Sequence, residues 1–500
     1  MAPNDIKSAS GDEALELLTV AQMYRADEAA IASGTSGQVL MENAGQAIAD
    51  QIRNRWARRP ISILCGPGKN GGDGFVVARL LADEGWPITL ALLGEKEALK
   101  GDAAWAAAQW SGAVHPPDPS VLDGAELVVD ALFGAGLSRP LDDMARILID
   151  AINDRRLPCV AVDIPSGVHG DTGQVLGGAP SCRLTVTFFR RKPGHLLMPG
   201  RAFAGETVVA PIGIPESVLE QIEPETFANG PGLWLSHYPW PALGDHKYGR
   251  GHALIAGGAS MTGAARLAAR AAYRAGAGMV TIASPPSAVQ IYAGDLAGLL
   301  VSAVANEDEF NALLVDPRKN AALVGPGCGV SRTTRNMALG ALRAQKAVVL
   351  DADALSVFQD NPGDLFDALL DSSAVLTPHD GEFARLFDQA GDKLSRVRAA
   401  AARCGAVVVL KGPDTVIAAP DGRAIINDNA PPTLATAGTG DVLAGLILGL
   451  MAQGMGPFDA ACAGVWLHGA AATQFGPGLI ASDIPEMVPA ILNQLHLMDS

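Results

Sequence analysis

Apolar positions recur in two rhythms along this chain. Leu40, Ala44, Ile48 and Ile52 return at every fourth residue with Met41 and Gly45 beside them, so one apolar stripe runs along a helix predicted over residues 19–56. From residue 61 the rhythm changes to short apolar runs, each closed by a glycine-bearing or acidic turn and several followed by a helical pattern. In the first half these runs are ISILC (61–65), ITLALLG, ELVVDALF and PCVAVDI, then LTVTFFRRKPG and GETVVAPIGIP. In the second half they are GHALIA, MVTIA (279–283), AALVG, AVVLD, AVLT and the strand–turn–strand stretch 405–428. Strands alternating with helices predict an α/β fold with parallel sheets.

The helix after ISILC is expected over FVVARLLADEG, leaving GPGKNGGDG (66–74) as a glycine loop, and a last helix carries GVWLHGAAA. Between residues 214 and 247 the periodicity fades, and Pro215, Pro224, Pro231, Pro239 and Pro241 fall there. A boundary near 230 follows, giving domains 1–229 and 230–500.

Composition narrows the function. At 48% hydrophobic and 18% charged residues the 500-residue chain has the make-up of a well-buried enzyme. A net charge of −16 argues against nucleic acid or an anionic membrane surface as partner. Anionic ligands would then be held by backbone nests and helix ends. Six cysteines are scattered without a CxxC pair, which fits reduced thiols. The acidic N-terminal stretch has no basic-then-apolar signal pattern, and no run approaches the length of a membrane span, so a cytoplasmic protein is expected.

Chemistry concentrates at the strand ends. Gly438-Thr439-Gly440-Asp441 opens an apolar helical run; glycine amides and a helix N-terminus suit an anion, and Asp441 there suits a base for a hydroxyl in phosphoryl transfer. Alone, the same residues also describe a helix turn with Asp441 as its cap. GPGKNGGDG formally matches GxGxxG, but Asp73 at the helix mouth would repel a pyrophosphate, so the conventional dinucleotide site is set aside. Asn70, Asp73, Asp130, Asp163 and Ser166 fall at neighbouring strand ends, where ligands bind in parallel sheets, and this oxygen-rich set suits a hard cation over zinc.

Taken in order, GxGxNGGDG, VDALFGxGLSRP and VDIPSG resemble the NAD(P)H-hydrate epimerase domain, with LMENAG as its leading helix. The resemblance implies a Rossmann-like three-layer fold. It also implies that Lys69, Asn70, Gly71, Gly72 and Asp73, with Gly134, Ala135, Gly136, Leu137, Ser138, Arg139 and Pro140, line the hydrated nicotinamide nucleotide, and that Asp163 contacts it. Asn70, Asp130 and Ser166 would hold K+, and which of Asp73 and Asp163 handles the proton stays open. Lys69 stands where that family usually has asparagine.

The second half carries HKYxxG, GAAxLAAxAA, GPGxG, VLDADAL, LTPHxGEF, VLKGxxT and LATxGTGDVLAG in register. This is similar to the ribokinase-like ADP- or ATP-dependent NAD(P)H-hydrate dehydratases. The resemblance implies Asp441 as base, and Ala264, Gly327, His379 and Asp441 against the hydrate. Lys411, Gly412, Pro413, Asp414, Thr415 and Gly440 would contact the nucleotide, with Mg2+ as its companion, and homo-oligomers are expected by analogy. Ala437 and Asp380 replace a usual glycine and proline. A sugar or hydroxymethylpyrimidine kinase is the rival reading of this half, and a non-catalytic binding module the rival of the first.

Overall fold

The computed structural model describes residues 14–499. Its contacts divide the chain into two compact units, Glu16–Thr226 and residues 227–499, with residues 14 and 15 joining the latter. The division falls just before residue 230.

In the first unit six strands form one parallel sheet. They are β1 (Ile61–Cys65), β2 (Ile88–Leu92), β3 (Leu127–Ala131), β4 (Cys159–Val162), β5 (Leu184–Phe188) and β6 (Glu206–Ala210), in the order β2-β1-β3-β4-β5-β6. Every residue of β1, β3, β4 and β5 is buried, which is why these strands read as unbroken apolar runs and not as alternation. The strand order reverses between β1 and β3, so a crevice opens beyond their carboxyl ends.

Two helix expectations need correction. The stretch 19–56 is not one helix but α1 (Val20–Ala32) and α2 (Gly37–Arg55). Gly34 turns the chain at φ +108, and the Ser36 hydroxyl accepts the Val39 N–H at 3.3 Å to start the second helix. The next helix, α3 (Lys69–Asp83), begins at Lys69 and not at Phe75, so Asn70 to Asp73 lie in its first turns and the loop shrinks to Gly66–Gly68. Glycine weakens a helix, but Gly71 here seats against the Gly66 carbonyl, where an added Cβ would lie 1.8 Å from its oxygen.

The second unit is built on a ten-stranded sheet. Its strands run Leu300–Ala303, Met279–Ser284, His252–Ala256, Ala321–Val324, Ala347–Leu350, Ala374–Leu376, Val407–Leu410, Val416–Ala418, Ala424–Ile426 and Thr226–Ala228 across the sheet. Neighbours are parallel from Leu300–Ala303 to Val407–Leu410, after which the expected strand–turn–strand stretch pairs antiparallel. The helix opened by GTGD, Thr439–Ala452, is buried from Val442 onward. It lies on the alanine-rich helix Thr262–Arg274, with Gly445 against Ala268 and Gly449 against Ala272 so closely that an added Cβ would stand 2.2 and 2.5 Å from their carbonyl oxygens. The helix Pro457–Phe475, expected as the last, is followed by Ile484–Asp499.

All six cysteines are unpaired, and five are buried. No helix among the described residues is long and apolar enough to cross a membrane.

Two candidate active sites

A cavity of about 530 Å³ opens at the crevice of the first unit. Lys69, Asn70 and Asp73 of α3 line it, as do Gly134 to Arg139 of the loop after β3 and Asp163 at the end of β4. The sequence thus brings most of its predicted residues to one place. Gly71 and Gly72 are packed within the unit, Pro140 is outside the lining, and Asp130 and Ser166 lie behind the cavity and fully buried. Gly134 must be small, because a Cβ there would press at 3.0 Å on Asn70 Oδ1 and 3.2 Å on Asp163 Oδ2.

Asp163 is the most constrained of these groups. Its backbone is left-handed at φ +65, unusual for a residue with a side chain. One carboxylate oxygen accepts bonds from Lys192 Nζ at 2.7 Å and Thr187 Oγ1 at 2.9 Å, and the other from the Ala135 N–H at 3.0 Å. Burial pushes this carboxyl up, but the Lys192 ammonium and these hydrogen bonds outweigh it and hold the pKa down at about 2. Asp73 goes the other way. Burial, with the Asp163 and Asp27 carboxylates facing it, raises its pKa well above the usual range, and Lys69 offsets this only in part. One cavity therefore holds two carboxyls whose pKa values are driven in opposite directions.

Asp130 accepts the Ser166 N–H at 2.7 Å, the Ser166 hydroxyl at 2.6 Å and the Leu132 N–H at 3.3 Å. Burial still lifts its pKa to about 6. The Ser166 oxygen also accepts the Phe133 N–H at 2.8 Å, tying β3, β4 and the cavity loop together. Asn70 has a buried amide nitrogen without a hydrogen-bond partner.

In the second unit the predicted residues fall at the carboxyl ends of the central strands and on the GTGD helix. Gly327, at φ +69, abuts the helix bearing Ala264, whose Cβ would lie 3.3 Å from a Cβ at Gly327. Gly438 takes φ +91 as the cap of Thr439–Ala452, a conformation that favours glycine, and Asp441 follows in the first turn. Burial and the Asp351 carboxylate raise the Asp441 pKa to about 6, against the pull of Lys411. Lys411 itself donates to Asp351 at 2.7 Å, and its ammonium lies 3.6 Å from where a Gly440 Cβ would stand.

The remaining KGPDT side chains are engaged within the unit. The Thr415 hydroxyl accepts the Gly412 N–H at 3.2 Å and donates to its carbonyl at 2.9 Å, and Lys393 holds Asp414 at 2.5 Å. The half-exposed His379 caps the helix Asp380–Leu386, its Nδ1 accepting the N–H groups of Gly381 and Glu382 at 3.0 and 3.2 Å. A larger polar concavity of about 920 Å³, lined by Arg335, Arg343 and Asp364 among others, holds none of the predicted residues.

Residues 37–194 match the family model described as YjeF-related protein N-terminus, and residues 252–485 that of NAD(P)H-hydrate dehydratase. Over 97% of its length the chain is 37% identical to a bifunctional NAD(P)H-hydrate repair enzyme of Salinibacter ruber, covering 98% of that protein. The chain belongs to the bifunctional NAD(P)H-hydrate repair enzymes. The relative of the same description from Coxiella burnetii is 35% identical over 94% of this chain and 98% of its own. Among solved structures, an ADP/ATP-dependent NAD(P)H-hydrate dehydratase of Bacillus subtilis co-crystallised with ATP/Mg2+ is 28% identical, covering 51% of this chain and 94% of that one, with a TM-score of 0.45.

Departures from the expected motifs have visible local reasons. Lys69 reaches Asp27 of α1 at 3.4 Å, so its charge has a partner at the cavity. Ala437 is not in a left-handed conformation, and nothing in its backbone demands glycine. Asp380 sits in the first turn of its helix, where a carboxylate is favourable. Among the cavity residues that escaped the sequence reading are Tyr24, Asp27 and Lys192. Asp27 and Tyr24 sit on a helix with no motif, and Lys192 falls in LTVTFFRRKPG, expected as a strand throughout, whereas β5 stops at Phe188.

Proposed function

We propose that residues 16–226 interconvert the R and S forms of NADH or NADPH hydrated at C6 of the nicotinamide ring, and that residues 227–499 dehydrate the S form using ADP. What supports the reading is that one cavity sets Asp163, held ionised by Lys192 at 2.7 Å, with the buried Asp73, whose pKa burial and two facing carboxylates raise. Epimerisation needs the C6 hydroxyl to leave as water. Asp73 gives its proton to that oxygen, the C6–O bond breaks as the ring nitrogen lone pair forms the iminium, and water returns to either face while Asp73 regains the proton. Asp163, held ionised, sets a fixed negative charge toward the cationic ring. Lys69, Asn70, Gly134 to Arg139 and Asp163 hold the hydrate, with Gly71 and Gly72 acting from beneath by giving α3 its seat.

K+ fits Asn70, Asp130 and Ser166. The side chains offer oxygen donors, and Asp130 is a buried carboxyl whose pKa a cation would bring down. The ion supplies positive charge beneath the cavity loop.

In the second unit Asp441 takes the proton of the C6 hydroxyl as that oxygen attacks the terminal phosphorus of the nucleotide. The P–O bond to the leaving nucleotide breaks, and N–H groups of the Gly438–Gly440 turn meet the developing charge. Loss of phosphate from C6 and a proton from C5 then restores the dihydropyridine. A base with a pKa near 6 is matched to this task. Lys411 to Thr415 and Gly440 contact the nucleotide, with KGPDT offering chiefly backbone; Ala264, Gly327 and His379 contact the hydrate. Mg2+ would accompany the phosphates of the nucleotide and offset their charge.

The test is recovery of NADH absorbance from a mixture of R and S hydrates with ADP, ATP or neither. Full recovery with one nucleotide supports both activities and identifies the donor. Recovery of the S fraction alone removes the epimerase, and a stable phosphorylated product replaces the dehydratase with a kinase.

A further inference from the structure

We propose that Lys192 is a positioning residue for Asp163, fixing the charge and aim of the carboxylate that faces the reacting ring. The inference rests on reading residues 16–226 as the epimerising unit.

The geometry is a clamp with two arms. In the first, the buried Lys192 Nζ donates to Asp163 Oδ1 at 2.7 Å and to Thr187 Oγ1 at 2.9 Å, and the Thr187 hydroxyl donates to the same Asp163 oxygen at 2.9 Å. Lysine, threonine and aspartate thus close a triangle in which the threonine cannot rotate without losing a bond on either side. In the second arm, the Lys192 N–H donates to His195 Nδ1 at 2.9 Å, and His195 Nε2 donates to the Asp163 carbonyl at 2.8 Å. That pattern places the ring proton on Nε2, and burial keeps the imidazole neutral by lowering its pKa to about 4.

Lys192 therefore grips Asp163 by side chain and by backbone at once. A left-handed aspartate persists only where its surroundings over-determine it, and these two arms do so. The remaining ionisable groups facing Asp163 are Asp73 and Asp27, both acidic, with Lys69 paired to Asp27. Lys192 is the cation in contact with Asp163. Breaking such a buried pair by removing one partner leaves the other charge uncompensated. Asp163 would then gain a proton at neutral pH and regain its charge as the pH rises.

The experiment compares the full-length chain with its Lys192→Met and Lys192→Arg variants, following conversion of purified S hydrate to R hydrate across pH by chromatography. Wild-type turnover is measured first, and a wild-type chain that does not epimerise would sink the reading of the site itself. Given wild-type turnover, Lys192→Met should lose at least about tenfold at neutral pH and recover as the pH is raised, because each unit of pKa shift is a factor of ten. Lys192→Arg should keep the wild-type shape of the profile. A Lys192→Met profile parallel to wild type, or a variant-to-wild-type ratio that no rise in pH restores, overturns the proposal. If Lys192→Met does not fold, Thr187→Val removes one donor to Asp163 and one partner of Lys192. Its acid limb should move upward, and an unmoved limb overturns the proposal equally.

Discussion

The two sites use the same parts in different proportion. Each sets a lysine against one carboxylate at 2.7 Å, Lys192 on Asp163 and Lys411 on Asp351, and leaves a second carboxyl less compensated. In the first unit that second carboxyl is Asp73, enclosed and facing two further acids, and its pKa is raised well above the usual range. In the second it is Asp441, which is less enclosed and within the influence of Lys411, and its pKa stops at about 6. Depth of burial and distance from the cation decide the outcome. On the proposed reading, one arrangement yields an acid and the other a base.

Removing Asp441 should break the comparison most severely. Asp441→Asn should lower dehydration of S hydrate by about 10²–10⁴-fold, the usual worth of a positioned base, and leave epimerisation unchanged. Near-normal dehydration in that variant would remove Asp441 as base. Asp73→Asn should do the converse, slowing epimerisation by about 10²-fold while S hydrate is dehydrated at the wild-type rate. Loss of both activities would mean that Asp73 serves folding and not proton transfer.

The pH profiles should then diverge in sign. Asp441 acts only when ionised, so kcat/KM for dehydration should fall below a pH of about 6, by tenfold per unit, as the carboxylate gains its proton. With Asp73 as the acid, epimerisation should hold in that range and decline as the pH rises through its elevated pKa. Parallel profiles would erase the distinction between the sites. The smallest effect concerns K+. It should raise the melting temperature of the first unit by about 2–4 °C at about pH 8 and by less at about pH 5, where Asp130, with its pKa near 6, binds a proton instead. An equal shift at both pH values, or one that survives in Asp130→Ala, would remove the cation site.

Much of this was legible in the sequence, for physical reasons that mark what was not. The strand ISILC occupies Ile61–Cys65 as expected, because a strand buried on both faces must be apolar throughout. Asp130, Asp163 and Asp351 could be placed at strand ends because a carboxylate closing such a run has nowhere else to go. The break at Gly34 was hidden beneath an apolar spacing that continues on both sides of it. The early start of α3 was hidden by glycines that favour loops locally and are overruled by the seat against Gly66. Proton states were beyond reach, since they depend on through-space neighbours. Nothing local separates the buried Lys192 from an exposed lysine, and only the folded sheet brings it to Asp163.

The glycines of the Thr439–Ala452 helix work like notches on a key. Gly445 and Gly449 sit where the alanine helix leaves room for hydrogen alone, while Leu446 and Leu448 beside them could not enter. The helix has one seat, and the turn at its mouth has one aim, with no halfway setting in which the acceptor oxygen is misdirected and water takes its place. Warming should therefore leave the ratio of transfer to nucleotide hydrolysis unchanged until the unit melts, when both should be lost together.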